Sequence, residues 1–198
     1  MIPPNNPPEG SPQGAVDLDL VRRGMKGDRA ALDGLMDRLG CVEPILKSLN
    51  RRMGGPLTPA DLEDLTQDTL VTIWEKLSTF EGRAALSTWA YRYCFLGMLD
   101  RRRTVRKSRQ RHVTLDAAAG TAGPKAPSAT DRITLLDSLL SLSELEARII
   151  ALKHFENRTF FEIADLLELP PSTAKSHYYR GIESLKALLD SPGQGRDR

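Results

Sequence analysis

From Asp17 onward, apolar residues recur at helical spacing. Leu18, Val21 and Met25 form the first stripe, and Gly27-Asp28 breaks it. A second helix is expected from Arg29 to Leu39, with Ala31, Leu32, Leu35, Met36 and Leu39 inward, and a third over Glu43–Met53 before the turn Gly54-Gly55-Pro56. Thr58 then starts a longer helix. Its hydroxyl is an acceptor, Pro59 has a preset φ, and Asp61 puts negative charge where free N–H groups gather. Leu62, Leu65, Thr69, Ile73 and Leu77 make the inner stripe, which Leu70 and Trp74 widen. Asp61, Glu63, Asp64, Gln67, Asp68 and Glu75 fall elsewhere, as an acidic ridge. A loop over Ser78–Ala85 contains Phe80 and Gly82. The next helix carries Trp89, Tyr93 and Leu96 on one face and ends in Arg101-Arg102-Arg103. Arg92, Arg103 and Arg106 share a face if that helix continues.

The second half repeats the pattern more tightly. Ile133, Leu135, Leu136, Leu139, Leu140 and Leu142 open it. Ser143-Glu144-Leu145-Glu146 and Thr159-Phe160-Phe161-Glu162 are capping boxes, each with a hydroxyl to cap and a carboxylate three residues on to cap back. They start helices running to about Asn157 and to Leu167. Glu168-Leu169-Pro170 forms a turn, and a last helix runs from Pro171 or Ser172 to about Leu189, with Ala174, Tyr178, Ile182 and Leu185 inward. Small Ala164 suits a close crossing. Two helices joined by a short turn, the second polar outside, make a helix-turn-helix. Its outer residues Ser172, Thr173, Lys175, Ser176, His177, Tyr179 and Arg180 would face a major groove or its flanking phosphates. His177 is a weaker candidate, since a lone exposed histidine is more often a bystander.

Composition limits what else is possible. Residues 1–16 are rich in Pro, Gly, Asn and Ser and are expected to be a disordered tail. Residues 104–131 hold the run RKSRQRH and then Ala, Gly, Pro and Ser; they exceed the roughly 12–15 residues of a loop inside a domain and read as a flexible basic linker. Residues 190–198 are expected to be a short disordered tail without a sensor domain. The expected architecture is therefore all-α: a helical domain over 17–103, the linker over 104–131, and a helix-turn-helix domain over 132–189. Charge is uneven. Residues 1–100 carry 11 Lys and Arg against 14 Asp and Glu, residues 101–131 carry 8 against 2, and residues 132–189 carry 7 against 8. The basic strip suits phosphate contact as well as it suits a solvated linker. No apolar run reaches the roughly 18–20 residues of a membrane span, and no signal-peptide pattern opens the chain. Cys41 and Cys94 lack metal-ligand spacing, and His112, His154 and His177 form no ligand pair, so no metal or cofactor is expected. A Gly-rich phosphate loop and a nucleophile–base pairing are both absent, and Asp64 with Asp68 lies on an exposed helix face; the sequence does not read as an enzyme. A cytoplasmic protein is the simplest expectation.

The order Asp61-Leu-Glu-Asp-Leu-x-Gln-Asp68, Trp74, Phe80, Trp89 and Asp100-Arg101-Arg102 resembles region two of bacterial RNA polymerase sigma factors, specifically the extracytoplasmic-function (ECF) group. Gly27-Asp28-Arg29-Ala30-Ala31-Leu32 resembles its opening helix. Glu162 to Ser176, E-I-A-D-L-L-E-L-P-x-S-T-A-K-S, resembles region four, which binds the minus-thirty-five element. The resemblance covers about 17–110 and 132–189, and implies a protein without an active site. It implies docking of Asp61, Glu63, Asp64, Gln67 and Asp68 on the clamp helices of the polymerase largest subunit, with region four reaching the flap of the second. The Thr79–Ala85 loop resembles the specificity loop that captures an unpaired minus-ten base. Phe80, Arg83, Arg92, Tyr93, Arg103 and Arg106 are the residues expected to serve minus-ten DNA. Trp89 and Tyr93 have two readings, stacking on bases or filling core, and core is favoured for Trp89. An anti-sigma factor is a further partner consistent with the family.

Four positions depart from the family pattern. Leu96 stands where Asn is usual, Phe95 where a polar or basic residue is frequent, Glu168 where Gly is usual in the turn, and Tyr178 where an aliphatic residue is usual. Two other readings stay open beside a sigma factor that melts the minus-ten region: a stand-alone helix-turn-helix regulator, and a degenerate homologue acting only as a protein-binding decoy.

Overall fold

The computed structural model describes residues 11–112 and 135–190. Regular structure among them is entirely helical: α1 (Pro12–Met25), α2 (Arg29–Leu39), α3 (Val42–Arg52), α4 (Pro59–Lys76), a 3-10 turn over Leu77–Thr79, α5 (Leu86–His112), α6 (Leu135–Leu140), α7 (Glu144–Phe155), α8 (Phe160–Leu167) and α9 (Pro171–Asp190). Two compact units result, one of Met1–Leu49 with Leu57–Arg101 and one of Asn50–Pro56 with Arg102–Arg198. The division falls inside α5.

Local chemistry fixes most helix starts. Thr58, Ser143 and Thr159 each accept from the amide three residues on, while Asp61, Glu146 and Glu162 reach back to the cap amide, so all three form capping boxes. Asp28 caps α2 by accepting from Ala31 N at 3.1 Å. Two boundaries differ from the sequence expectation. Helix α1 begins at Pro12, inside the segment expected to be a disordered tail, because Ser11 caps it (Gly14 N to Ser11 Oγ, 3.0 Å) and Pro12 occupies its first turn. Helix α5 runs on to His112, through basic residues expected to belong to the linker. Arg, Lys and Gln are good helix formers, and no Gly or Pro interrupts them before His112. The remainder of the expected linker, 113–131, lies outside the described residues, as do residues 1–10 and 191–198.

Within the first unit, Leu35, Leu46, Leu49, Ile73, Leu77, Leu86, Phe95 and Met98 are buried almost completely. Leu96 and Phe95, two departures from the family pattern, are both core residues here, so apolar side chains at these positions fill the interior. The second unit is built by packing α7 and α8 against α9 around Ala147, Ile149, Ile150, Ala151, Ile163, Ala164, Ala174 and Leu185. Gly181 allows the closest approach, since a Cβ there would lie 2.7 Å from Ile150 Cδ1. The turn after α8 places Glu168 in the left-handed region (φ 56°, ψ 47°), with its N–H directed to Ala164 and Asp165 carbonyls. A residue other than Gly takes the conformation that usually favours Gly. Tyr178, the fourth departure, stacks on His154 and meets Phe160 edge-on, and its hydroxyl lies 2.9 Å from His154 Nε2.

Candidate functional site

The acidic ridge occupies one side of α4, and its members differ in freedom. Asp61 is committed to its own helix, its Oδ2 accepting from Thr58 N (3.1 Å) and Thr58 Oγ1 (2.7 Å). Arg101 from α5 reaches the same side. Its Nη2 donates to Asp64 Oδ2 at 3.1 Å, and its Nε lies 3.9 Å from Asp61 Oδ1. The acidic side of α4 is thus tied to α5 by one arginine, while Glu63, Gln67 and Asp68 stand exposed. Trp74, expected to widen the buried stripe, is instead 50% exposed, and Val71 is 59% exposed. Positions 67, 71 and 74 are spaced by four and three, so these apolar side chains continue the row begun by Gln67. That spacing is legible in the sequence. The size of Trp74 argues for the core instead, because a large aromatic is ordinarily inward.

The loop between α4 and α5 is set on aromatic packing. Phe80 is buried and meets Trp89 edge-on (5.4 Å, 69°), and Trp89 meets Tyr93 likewise (4.9 Å, 69°). Phe80 and Tyr93, expected to serve minus-ten DNA, are both buried. Both belong to the core, their rings packed through Trp89, which is itself half-buried. Arg92 closes this stack. Its guanidinium lies 4.7 Å from the Trp89 ring and 4.6 Å from the Tyr93 ring, and Nη2 donates to Tyr93 Oη at 2.6 Å. Arg83 is exposed on the loop, its guanidinium paired with the nearby Glu81 carboxylate at 2.6 Å. Arg106 is exposed and Arg103 half-buried, further along α5.

Two further contacts position this loop, and neither follows from the sequence pattern alone. Asp17 of α1 is 1% exposed, and its Oδ2 accepts from Leu86 N, the first residue of α5, at 2.7 Å. Gly14, one turn earlier, lies so close to the loop that a Cβ would collide with the carbonyl oxygens of Gly82 and Ala84. The available signal is a polar residue in a buried series at 14, 17, 21 and 24.

In the second unit, α9 presents Ser172, Lys175, Ser176, Tyr179 and Arg180 as exposed residues, with Thr173 and His177 half-buried. Arg180 is not simply a free reader. Its Nε donates to Glu146 Oε1 of α7, and its Nη2 lies 2.6 Å from His177 Nδ1. Glu146 meanwhile accepts from Ser143 N and Oγ, so one carboxylate both caps α7 and orients Arg180. Burial alone would push the Glu146 carboxyl up, but hydrogen bonds from Ser143 and Arg180 outweigh it and hold it below the ordinary carboxylate range. The cysteines are shifted the other way. Burial pushes Cys94 up to about 12 and raises Cys41 as well, which disfavours the thiolate at both. Among the described residues no cluster of His, Cys, Asp and Glu could hold a metal ion, and no helix is long and apolar enough to cross a membrane.

One helical unit carries an exposed acidic strip with Val71 and Trp74 beside it, and the other carries two helices joined by a short turn, the second polar on its outer side. The family follows from the chain itself: residues 41–109 match sigma-70 region 2 and residues 132–185 match sigma-70 region 4. The chain is similar to the ECF RNA polymerase sigma factor SigW of Bacillus subtilis (strain 168), 25% identical over 184 residues, covering 85% of this chain and 94% of that protein. It is 27% identical to ECF sigma factor SigK of Mycobacterium sp. (strain KMS) over 188 residues, covering 88% and 91% of the two chains. It is 29% identical to the sigma factor NccH of Alcaligenes xylosoxydans xylosoxydans over 188 residues, covering 89% and 96%. The chain belongs to the sigma-70 family, in its ECF group, and directs RNA polymerase to promoters.

Proposed function

We propose that the exposed strip of α4 docks this sigma factor on the clamp helices of the polymerase largest subunit. Glu63, Asp64, Gln67 and Asp68 supply charge and polar contact, and Val71 and Trp74 supply apolar contact; Asp61 shapes the strip from beneath as a cap. The observation that carries this reading is Trp74, a large aromatic left half in solvent beside exposed carboxylates. Aromatic anchors ringed by polar residues are what interface hot spots are made of. The loop Thr79–Ala85 captures an unpaired minus-ten base, with Arg83 on its edge or phosphate, and Arg92, Arg103 and Arg106 guide the strand. Phe80 and Tyr93 serve from within, by fixing the loop and Arg92. The helix α9 enters the major groove of the minus-thirty-five element through Ser172, Thr173, Lys175, Ser176 and Tyr179, with Arg180 and His177 held at its edge. The same unit meets the flap of the second polymerase subunit, and the protein works in the cytoplasm.

Because Asp64 is paired with Arg101, reversing its charge would also disturb the α4–α5 contact. The cleaner test is Asp68→Arg combined with Trp74→Ala, two exposed positions outside that pair. Capture of core polymerase by the full chain is expected to weaken at least about a hundredfold, as for removal of an aromatic hot spot plus a charge, with helix content by circular dichroism unchanged. Undiminished capture would remove the docking reading.

A further inference from the structure

A loop that reads a base must hold its shape before DNA arrives, and nothing within Phe80–Ala85 is regular enough to do so alone. Helix α1 lies directly against it. Three points along one side of that helix reach the loop and the start of α5. Ser11 N donates to the Arg83 carbonyl at 3.3 Å. Gly14 touches the Gly82 and Ala84 carbonyl oxygens with no room for a methyl group, and from the other side a Cβ on Gly82 would lie 2.8 Å from the Gly14 oxygen and 2.9 Å from Leu18 Cβ. Asp17, three residues on, accepts from Leu86 N at 2.7 Å. Gly82 has φ +70°, so the loop turns there through a conformation that only Gly adopts cheaply.

Asp17 is the centre of this contact. An ionised carboxylate removed from water is costly unless its oxygens are filled. Here Oδ2 takes the Leu86 amide, while Oδ1 takes Gln13 Nε2 at 2.8 Å and lies 3.7 Å from Arg38 Nε. The Leu86 amide is one of the N-terminal donors of α5 that no carbonyl of its own helix can satisfy. Asp17 therefore caps α5 from a distant part of the chain, and fixes where the loop ends and Trp89 begins its stack.

We propose that Asp17 and Gly14 are positioning residues for minus-ten recognition: α1 holds the Thr79–Ala85 loop in its base-reading shape through the Gly14–Gly82 crossing and the Asp17 cap on α5. This rests on the reading of that loop as the base-capturing element. Neither residue touches DNA. Gly14, in the stretch expected to be a tail, is then part of its specificity.

The test uses holoenzyme reconstituted from the full chain and bacterial core polymerase. It selects from a DNA pool with a single-stranded stretch randomised through the minus-ten element, and bound sequences are counted. Wild type, Asp17→Asn, Gly14→Ala and Arg83→Ala are compared, each with its core-polymerase affinity and amide exchange across α4 and residues 82–89. In Asp17→Asn and Gly14→Ala, enrichment at the loop-dependent base is expected to fall about tenfold, the size of one forfeited base discrimination. Core affinity should stay within about twofold of wild type, because the docking strip on α4 is untouched. Exchange at 82–89 should rise while α4 stays protected. Full enrichment in both folded variants would overturn the proposal. A parallel loss of core affinity and of α4 protection in both would also overturn it, by making α1 a support of the whole unit. No enrichment by wild type, or none that Arg83→Ala alters, would instead remove the base-capture reading, and this inference with it.

Discussion

Glu168 shows how one residue can carry a cost that the rest of the fold absorbs. It sits in the left-handed region at the end of α8, where a Cβ crowds the following carbonyl at about 1–2 kcal/mol. Its N–H still closes the helix on Ala164 and Asp165, and Leu169 N donates to the Ala164 carbonyl at 2.9 Å, so the turn keeps its hydrogen bonds. These are backbone bonds that Gly would make equally well, and the Glu168 side chain is exposed. Glu168→Gly is expected to stabilise the second unit by about 1 kcal/mol, raising its Tm by about 4–8 °C. Calorimetry of the full chain checks this, and an unchanged or lower Tm would show that the turn is not strained. The sequence already exposes this position, because the helix-turn-helix pattern calls for Gly there and Glu stands in its place.

At the scale of the element, α7 and α9 are coupled through Glu146. The carboxylate caps α7 through Ser143 and holds Arg180 of α9, so one group sets both a helix start and a side chain on the recognition helix. Because its folded pKa is depressed, its contribution is complete above the ordinary carboxylate range and is lost as pH falls through the depressed value. Glu146→Gln keeps a capping acceptor but no charge. Amide protection of α7 and α9, corrected for intrinsic exchange, is expected to be lower than wild type at pH 7 and to fall less between about pH 7 and pH 3. A variant as acid-sensitive as wild type would assign the acid response to other carboxylates. The two capping boxes are readable from Ser143 and Thr159, whose partners lie three residues away. The bond from Glu146 to Arg180 spans 34 residues and is not, since no local rule pairs them.

Across the whole molecule, the charge pattern separates two kinds of partner. The acidic strip on α4 suits a protein surface, whereas the basic residues after Asp100 suit phosphate. Helix continuation through His112 puts Arg106, expected in the linker, on the same regular element as Arg103, which fixes the spacing between them. Arg103→Gln with Arg106→Gln is expected to weaken holoenzyme binding to premelted promoter DNA. It should also lower the salt slope of log K by about 0.7 for each phosphate of the single strand that is no longer neutralised. Titration of binding against salt concentration reads this, and an unaltered slope would place both arginines off the phosphate path.

Some of this protein was settled by local chemistry. Helical periodicity, three cap sequences and the Glu162–Ser176 turn pattern established an all-helical chain with a helix-turn-helix, because each depends on residues within one or two turns of each other. The strip Glu63 to Asp68 was legible for the same reason. What the tertiary structure decided were the contacts between distant residues. It buried Phe80 and Tyr93, which by composition alone suit either core or base stacking, and it left Trp74 in solvent. It tied Arg101 to Asp64 and Arg180 to Glu146. Above all it brought Asp17 to the amide of Leu86, 69 residues away, because an unsatisfied helix start and a buried carboxylate each need a partner that only the folded chain supplies.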